Sequence, residues 1–200
     1  PPYSTCKERN QSRERVVPEH VLEKMIRKFE FPQLFEGFDT ITVHNEYNEG
    51  CKEYLLQMIS RMAGFNQDNP HHVHDLATHC QKVANHFLID SVEYSAGLVH
   101  DIGKLVTKKF DDKGIAHYYN HDSLGTYILA SNIDFQSQSS EVFDRQMYML
   151  FLVNYHMRAH NDFCTPKAEA KYRQLFGNDL FDSLMEFAEA DRESTGTYEG

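Results

Sequence analysis

The stretch Leu98-Val99-His100-Asp101-Ile102-Gly103-Lys104 sets a histidine beside an aspartate in an otherwise apolar run. Ionisable side chains in such surroundings are rarely buried unless they are paired, hydrogen-bonded or bound to a metal. A His-Asp pair alone is no more than a capped helix end, so its meaning depends on its company. Helical spacing supplies that company. From about Val73 to Leu88 the pattern predicts a helix that buries Leu76, Cys80, Val83, Ala84 and Phe87, with His79 beside that face. From about Glu141 to Met157, Met149 and Leu152 continue to His156 at the same spacing. In the last helix Leu180, Leu184, Phe187 and Ala188 continue to Asp191, which puts a carboxylate on the core-facing stripe. Taken singly, each histidine has a bland reading, a hydrogen bond to a backbone carbonyl. Convergence of these three helices on a fourth that carries His100-Asp101 explains all of them together.

The same patterns predict an all-α fold. A bundle of five to seven helices spans residues 46–200 with its ligands in the centre, and an N-terminal arm of residues 1–45 lies outside it. Within the bundle, Tyr54, Leu55, Met58, Ile59 and Met62 form a stripe that Gly64 closes as a helix C-cap would, and 66–70 reads as a loop. Within the arm, Val17-Pro18 opens a helix with Val21, Leu22, Met25, Ile26 and Phe29 on one face, and Phe31-Pro32 stops it. The alternating, β-branched run Thr40-Ile41-Thr42-Val43 predicts a short strand.

Composition narrows the function. The chain has 200 residues, 40 % of them hydrophobic and 25 % charged, which suits one well-buried domain. A formal charge of −10 argues against a general nucleic-acid coat, because non-specific binding rests on neutralising many phosphates, so any nucleic-acid contact must be local. Cys6, Cys51, Cys80 and Cys164 are widely spaced with no C-x-x-C, which points away from a disulfide framework and towards a reducing, cytoplasmic compartment. The longest apolar run, about Met147 to Val153, is far short of the roughly 20 residues of a membrane span. The chain begins at Pro1, as a trimmed protein or a piece of a longer one would.

Imidazole and carboxylate donors without a thiolate suit a divalent transition ion such as manganese, iron, cobalt, nickel or zinc. Such an ion lowers the pKa of bound water and polarises a phosphoryl oxygen, so hydrolysis of a phosphate ester is the expected chemistry.

The ordered set His79, His100-Asp101 and Asp191 resembles the H…HD…D signature of the HD-domain metal-dependent phosphohydrolases over residues of about 50 to 193. Within that superfamily the likeness is greatest to the HD domains of bacterial CCA-adding tRNA nucleotidyltransferases. It is carried by Asn69-Pro70-His71-His72-Val73-His74-Asp75, Tyr118-Tyr119-Asn120-His121, and Phe176-Gly177-Asn178-Asp179-Leu180 through Ala190-Asp191-Arg192. The resemblance implies that His79, His100, Asp101 and Asp191 bind a first metal. It further implies that His121 and His156 either bind a second metal, bridged by Asp101, or grip the substrate phosphate.

Other residues are assigned by position. Lys104, one turn beyond His100, is placed to hold a phosphate oxygen beside the catalytic Asp101, and Lys108, Lys109 and Lys113 form either a basic strip for a nucleic-acid backbone or a solvated loop. His72 would sit on a helix two turns before His79 as a substrate-binding group, or cap that helix. Arg158 is a candidate phosphate ligand with a surface role as its alternative, and Tyr118 and Tyr119 either stack on a base or pack in the core. His20, His44, His86, His117 and His160 have no spacing argument.

A second resemblance covers the arm. Arg9-Asn10-x-x-Arg13, Val17-Pro18-x-x-Val21-x-x-Met25 and Phe35-Glu36-Gly37-Phe38 resemble the lid helix and closing segment of P-loop polynucleotide kinases, with Arg9 and Arg13 at the lid-arginine positions. The chain lacks the G-x-x-x-x-G-K-[ST] loop, so the likeness extends only to a kinase tail and implies a kinase domain in a longer parent chain. An amphipathic helix packed on the main domain explains the same residues equally well. Together the two resemblances imply an end-healing enzyme that removes a 3′-phosphate or opens a 2′,3′-cyclic phosphate on RNA or DNA. The alternatives are a free-nucleotide phosphohydrolase, an HD-fold di-iron oxygenase and a non-catalytic adaptor.

Overall fold

A computed structural model describes residues 1–163 and 165–196. It is an all-α bundle, as the patterning predicts. Helices α3 (Glu49–Ser60), α4 (Leu76–Ala84), α5 (Val92–Val99), α7 (His121–Asn132), α8 (Ser140–Asn161), α9 (Pro166–Phe176) and α10 (Asn178–Ser194) form it, and α6 (Lys104–Thr107) is a single turn. The central element is α8. Seven consecutive residues, Leu150 to His156, are buried in it, and a helix buried all round has no place except the middle. Helices α5, α7 and α10 pack directly against it, and α4 packs against α5 and α10.

Local sequence starts these helices where they are needed. Asn48, Asp75, Ser91, Ser139 and Thr165 each accept a hydrogen bond from a backbone N–H in the first turn of the helix they precede. The Asp75 cap makes α4 shorter than expected, beginning at Leu76 rather than near Val73. A Cβ on Gly97 would lie 2.7 Å from the backbone of Ala84, so this glycine lets α5 approach α4 closely enough to bring the His79 and His100 rings within 5.3 Å.

Part of the first 45 residues joins the core, through Phe31 with Phe29, Phe35, Ile41 and Val43 packed beside it. Helices α1 (Tyr3–Gln11) and α2 (Glu19–Ile26) are followed by Phe31, which is buried, lies 6.0 Å from Phe135 in a stacked pair, and donates its backbone N–H to buried Asn154. Phe35 packs against Phe151, Tyr155 and Phe176. Phe31→Ala is therefore expected to lower stability by about 3–5 kcal/mol through the cavity it leaves. A denaturant melt should show one transition shifted as a whole; an unshifted main transition would mean that the arm folds apart from the bundle.

The strand expected at Thr40–Val43 is not formed. The segment has no regular structure and pairs with no strand: Ile41 and Val43 lean on the helical core while Asn45 donates to the carbonyls of Ala130 and Ile133. Its alternation thus reflects one-sided packing on helices. The strands lie elsewhere, in a hairpin of β1 (Lys109–Phe110) and β2 (Ala116–His117), paired Lys109 with His117 and Phe110 with Ala116. Among the described residues, no helix is long and apolar enough to cross a membrane.

Candidate metal centre

His79 projects from the middle of α4, His156 from α8 and Asp191 from α10, each continuing the apolar stripe that buries its helix. His121 is the first residue of α7. His100 and Asp101 are not helical as a pair: α5 ends at Val99, His100 caps it, and Asp101 lies in the turn before α6. The turn lets two adjacent side chains reach one point, which a straight helix would spread about 100° apart.

All six side chains are buried and meet there. Asp101 stands between two histidine pairs. Its Oδ2 is 3.4 Å from Nε2 of both His79 and His100, and its Oδ1 is 3.0 Å from Nε2 of His121 and 3.8 Å from that of His156. Asp191 closes the first pair, with Oδ1 3.0 Å from His79 Nε2 and 3.5 Å from His100 Nε2. The four rings are oriented alike. Each Nδ1 faces a backbone carbonyl, of Ser194 for His79, Gly97 for His100, Tyr118 for His121 and Val153 for His156, at 2.7 to 3.3 Å. A carbonyl only accepts, so each ring carries its proton on Nδ1 and, when neutral, turns the Nε2 lone pair inward. This is how metal-binding histidines are held.

The electrostatics match the geometry. Burial alone would raise the Asp101 and Asp191 carboxyls; Lys104 and His100 outweigh it at Asp101, and His100, His160 and His79 at Asp191, so both are held well below the usual carboxylate range. Burial would lower His79 and His100, but the carboxylates facing them raise both, His100 well above its ordinary value. His156 is pushed down to about 3 by burial and by the charge of His100 and His121. Despite the close carboxylates, Nε2 of His79 and of His100 is buried without a hydrogen bond of proper geometry. Inward-facing orphan nitrogens and ionised carboxylates are what a cation would satisfy, so the donor set fits a metal. Three overlapping groups, His79-His100-Asp101, His100-His156-Asp191 and Asp101-His121-His156, could each hold an ion, with Asp101 common to the first and the last.

Beside this cluster opens a cleft of about 580 Å³ lined by Asp101, Lys104, His121, Tyr119 and Arg192 among others. Lys104 is buried, and its ammonium donates to Asp101 Oδ2 at 2.7 Å, Gln67 Oε1 at 3.0 Å and His72 Nε2 at 3.4 Å. His72 thus reaches the site, but from the loop before α4 rather than along the helix expected for it, and burial together with Lys104 takes its pKa down to about 3. Arg158 lies at the edge of the cleft, ion-paired with Glu30 and over the Tyr155 ring. Lys108 is taken up by Asp68 and the Asn66 carbonyl, Lys109 lies in β1, and the backbone N–H of Lys113 donates to Asp111 in the hairpin turn. Arg9 pairs with Glu46, away from the cleft.

Two further residues belong to the site, His160 and Gln67. His160 places Nε2 2.8 Å from Asp191 Oδ2. Its signal was its position four residues after His156, one turn along the same face of α8. Gln67 is fully buried, bonded to Lys104 and to the His74 carbonyl, and only the tertiary fold reveals it. Comparison with family models, with curated proteins and with solved structures returned no match for this chain.

Proposed function

We propose that this protein is a metal-dependent phosphohydrolase acting on the phosphate of a nucleotide or nucleic-acid end, as a 3′-phosphatase, a 2′,3′-cyclic phosphodiesterase or both, in RNA or DNA end healing. The observation that carries the reading is Asp101, whose two oxygens face two pairs of inward-turned histidines beside a cleft that Asp101 and the buried Lys104 both line. The order His79, His100-Asp101, Asp191, similar to that of the HD-domain phosphohydrolases, supports it. His79, His100, Asp101 and Asp191 would hold one divalent transition ion, and Asp101, His121 and His156 a second; when bound, they supply an acidified water and polarise the phosphoryl group.

The chain's own residues do the rest. Lys104 has three N–H donors and three acceptors, the longest of them His72 at 3.4 Å. Exchanging that acceptor for a phosphoryl oxygen disturbs least, which leaves Asp101 and Gln67 to aim the ammonium and stabilise charge where it develops. With its pKa near 3, His72 is neutral above that value and adds no competing positive charge. The free thiols Cys6, Cys51 and Cys80 suit a reducing, cytoplasmic setting; Cys164 lies outside the described residues.

The test joins metal analysis of the purified protein to hydrolysis of a generic phosphodiester and phosphomonoester. A bound divalent metal, with hydrolysis lost on chelation and restored by manganese, nickel or cobalt, is expected. A protein that holds no metal and hydrolyses neither ester with any of them refutes the reading, and consumption of dioxygen by an iron-loaded form would favour the di-iron oxygenase instead. Loading should also release protons. His79 and His100, raised by their carboxylates, must give up their Nε2 protons to bind, so affinity should climb as the pH rises above the ordinary histidine value. Titration calorimetry in buffers of differing ionisation enthalpy reads that release directly.

A further inference from the structure

The two adjacent tyrosines at the mouth of the cleft have different fates. Tyr118 is tied down, its hydroxyl donating to the Gln67 carbonyl and its ring lying under Lys104. Tyr119 is 66 % exposed and lines the same cleft as Asp101 and Lys104. An exposed aromatic ring is ordinarily mobile and worth little to a ligand until ordered. This one is ordered already. The His117 ring stacks on one face of Tyr119 at 5.5 Å and 3°, the one ring contact of Tyr119 among the described residues.

His117 is itself fixed. Its Nε2 lies 3.1 Å from Asp111 Oδ2, and Asp111 in turn accepts the backbone N–H groups of Lys113 and Ile115 across the hairpin turn. The hairpin is anchored to the loop before α4, with Ala116 N–H donating to the Asp68 carbonyl and the Asn69 amide donating to the Ala116 carbonyl. A chain of contacts therefore runs from a short hairpin to one aromatic side chain in the cleft that Asp101 and Lys104 line. No part of the candidate metal chemistry needs it.

We propose that Tyr119 is the stacking platform for the nucleobase of the substrate and sets a preference for nucleotide-borne phosphates over esters without a ring. The inference rests on the phosphohydrolase reading for the position of the phosphate. His117 and Tyr119 both line the cleft, so their parallel rings form one aromatic wall against which a planar ring can lie, and a cleft of about 580 Å³ is within the range that takes a small ligand. Because every base offers a π-face, the preference is for a base as such, with little discrimination between bases.

The test compares binding of the non-hydrolysable phosphonate analogues of adenosine 3′-monophosphate and of glycerol 2-phosphate to the metal-supplemented protein by equilibrium titration, in wild type, Tyr119→Ala and Tyr119→Phe. Wild type should favour the nucleotide. The preference should fall about tenfold or more in Tyr119→Ala and persist in Tyr119→Phe, which keeps the ring. Equal preference in wild type and Tyr119→Ala, or failure of wild type to bind the nucleotide, overturns the proposal. Hydrolysis measured in parallel separates the two readings. Ester hydrolysis with no ring preference leaves the phosphohydrolase and removes the platform; ring-dependent binding without hydrolysis leaves the platform and removes the phosphohydrolase. Circular dichroism and melting of Tyr119→Ala exclude a folding defect, which an exposed side chain should not produce.

Discussion

Asp101→Asn is expected to lower hydrolysis of any phosphate ester by on the order of 10²- to 10³-fold and to strip bound metal, a larger loss than any single histidine variant gives. The reason is position. Each histidine offers a single inward nitrogen, whereas Asp101 turns an oxygen to each histidine pair, and asparagine keeps its shape while removing the charge and one acceptor. Polarisation by a bound ion is worth several kcal/mol, and each 1.4 kcal/mol is about tenfold in rate. The substitution also leaves Lys104, 4 % exposed, facing a neutral amide. Breaking a buried ion pair from one side costs about 3–5 kcal/mol, so the metal-free variant should melt earlier in denaturant. Adding Lys104→Met to the same chain should recover part of that stability and none of the activity. If Asp101→Asn kept full metal content and turnover, the cluster would be a structural network of histidines and carboxylates and the proposed chemistry would have to move elsewhere.

What made the cluster legible in the sequence was conflict. His79, His156 and Asp191 each extend an apolar helical stripe with a side chain that does not belong on one, and the structure brings all three to a single point. The conflict is a property of helices, where spacing along the chain reports direction in space. It fails where chain direction changes. His100-Asp101 read as helical and sits in a turn, and Gln67 and His72 reach Lys104 from a loop whose course no periodicity encodes. His160 stands one turn beyond His156 on the same face of α8, but spacing within one helix says nothing of the Asp191 partner on α10 that brings it into the site. The strand expected at Thr40–Val43 fails for a related reason: alternation reports a buried side and an exposed side, and a chain lying on helices has both without a neighbouring strand. Arg158 shows the limit for charge. Its place near His156 is right for a phosphate ligand, but Glu30, far away in sequence, holds it at the rim.

Gly103→Ala is expected to be the most destructive single-methyl change in the chain. Gly103 has an ordinary helical φ of −64°, so alanine meets no backbone strain there. Space is the obstacle. A Cβ would fall 2.0 Å from the His121 carbonyl oxygen and 2.8 Å from the Gly125 nitrogen, both backbone atoms of α7 that no rotamer change can move. Relief requires the turn after Asp101 to separate from α7, and that junction positions the site: Asp101 lies two residues before Gly103, and His121, the residue struck, holds its Nε2 3.0 Å from Asp101 Oδ1. Stability should fall by at least the roughly 3 kcal/mol at the upper end of overpacking penalties, with hydrolysis and metal content lost in the same variant. Gly114→Ala is the control. Gly114 sits at φ +76° in the hairpin turn with nothing within 4 Å of a Cβ, so alanine there costs about 1 kcal/mol of left-handed backbone strain and leaves the metal centre alone. Denaturant midpoints and metal content measured on both variants decide the matter. Should Gly103→Ala melt and load metal like wild type, α7 would not lie against the His-Asp turn at backbone distance, and the shared role of Asp101 would lose its geometric basis.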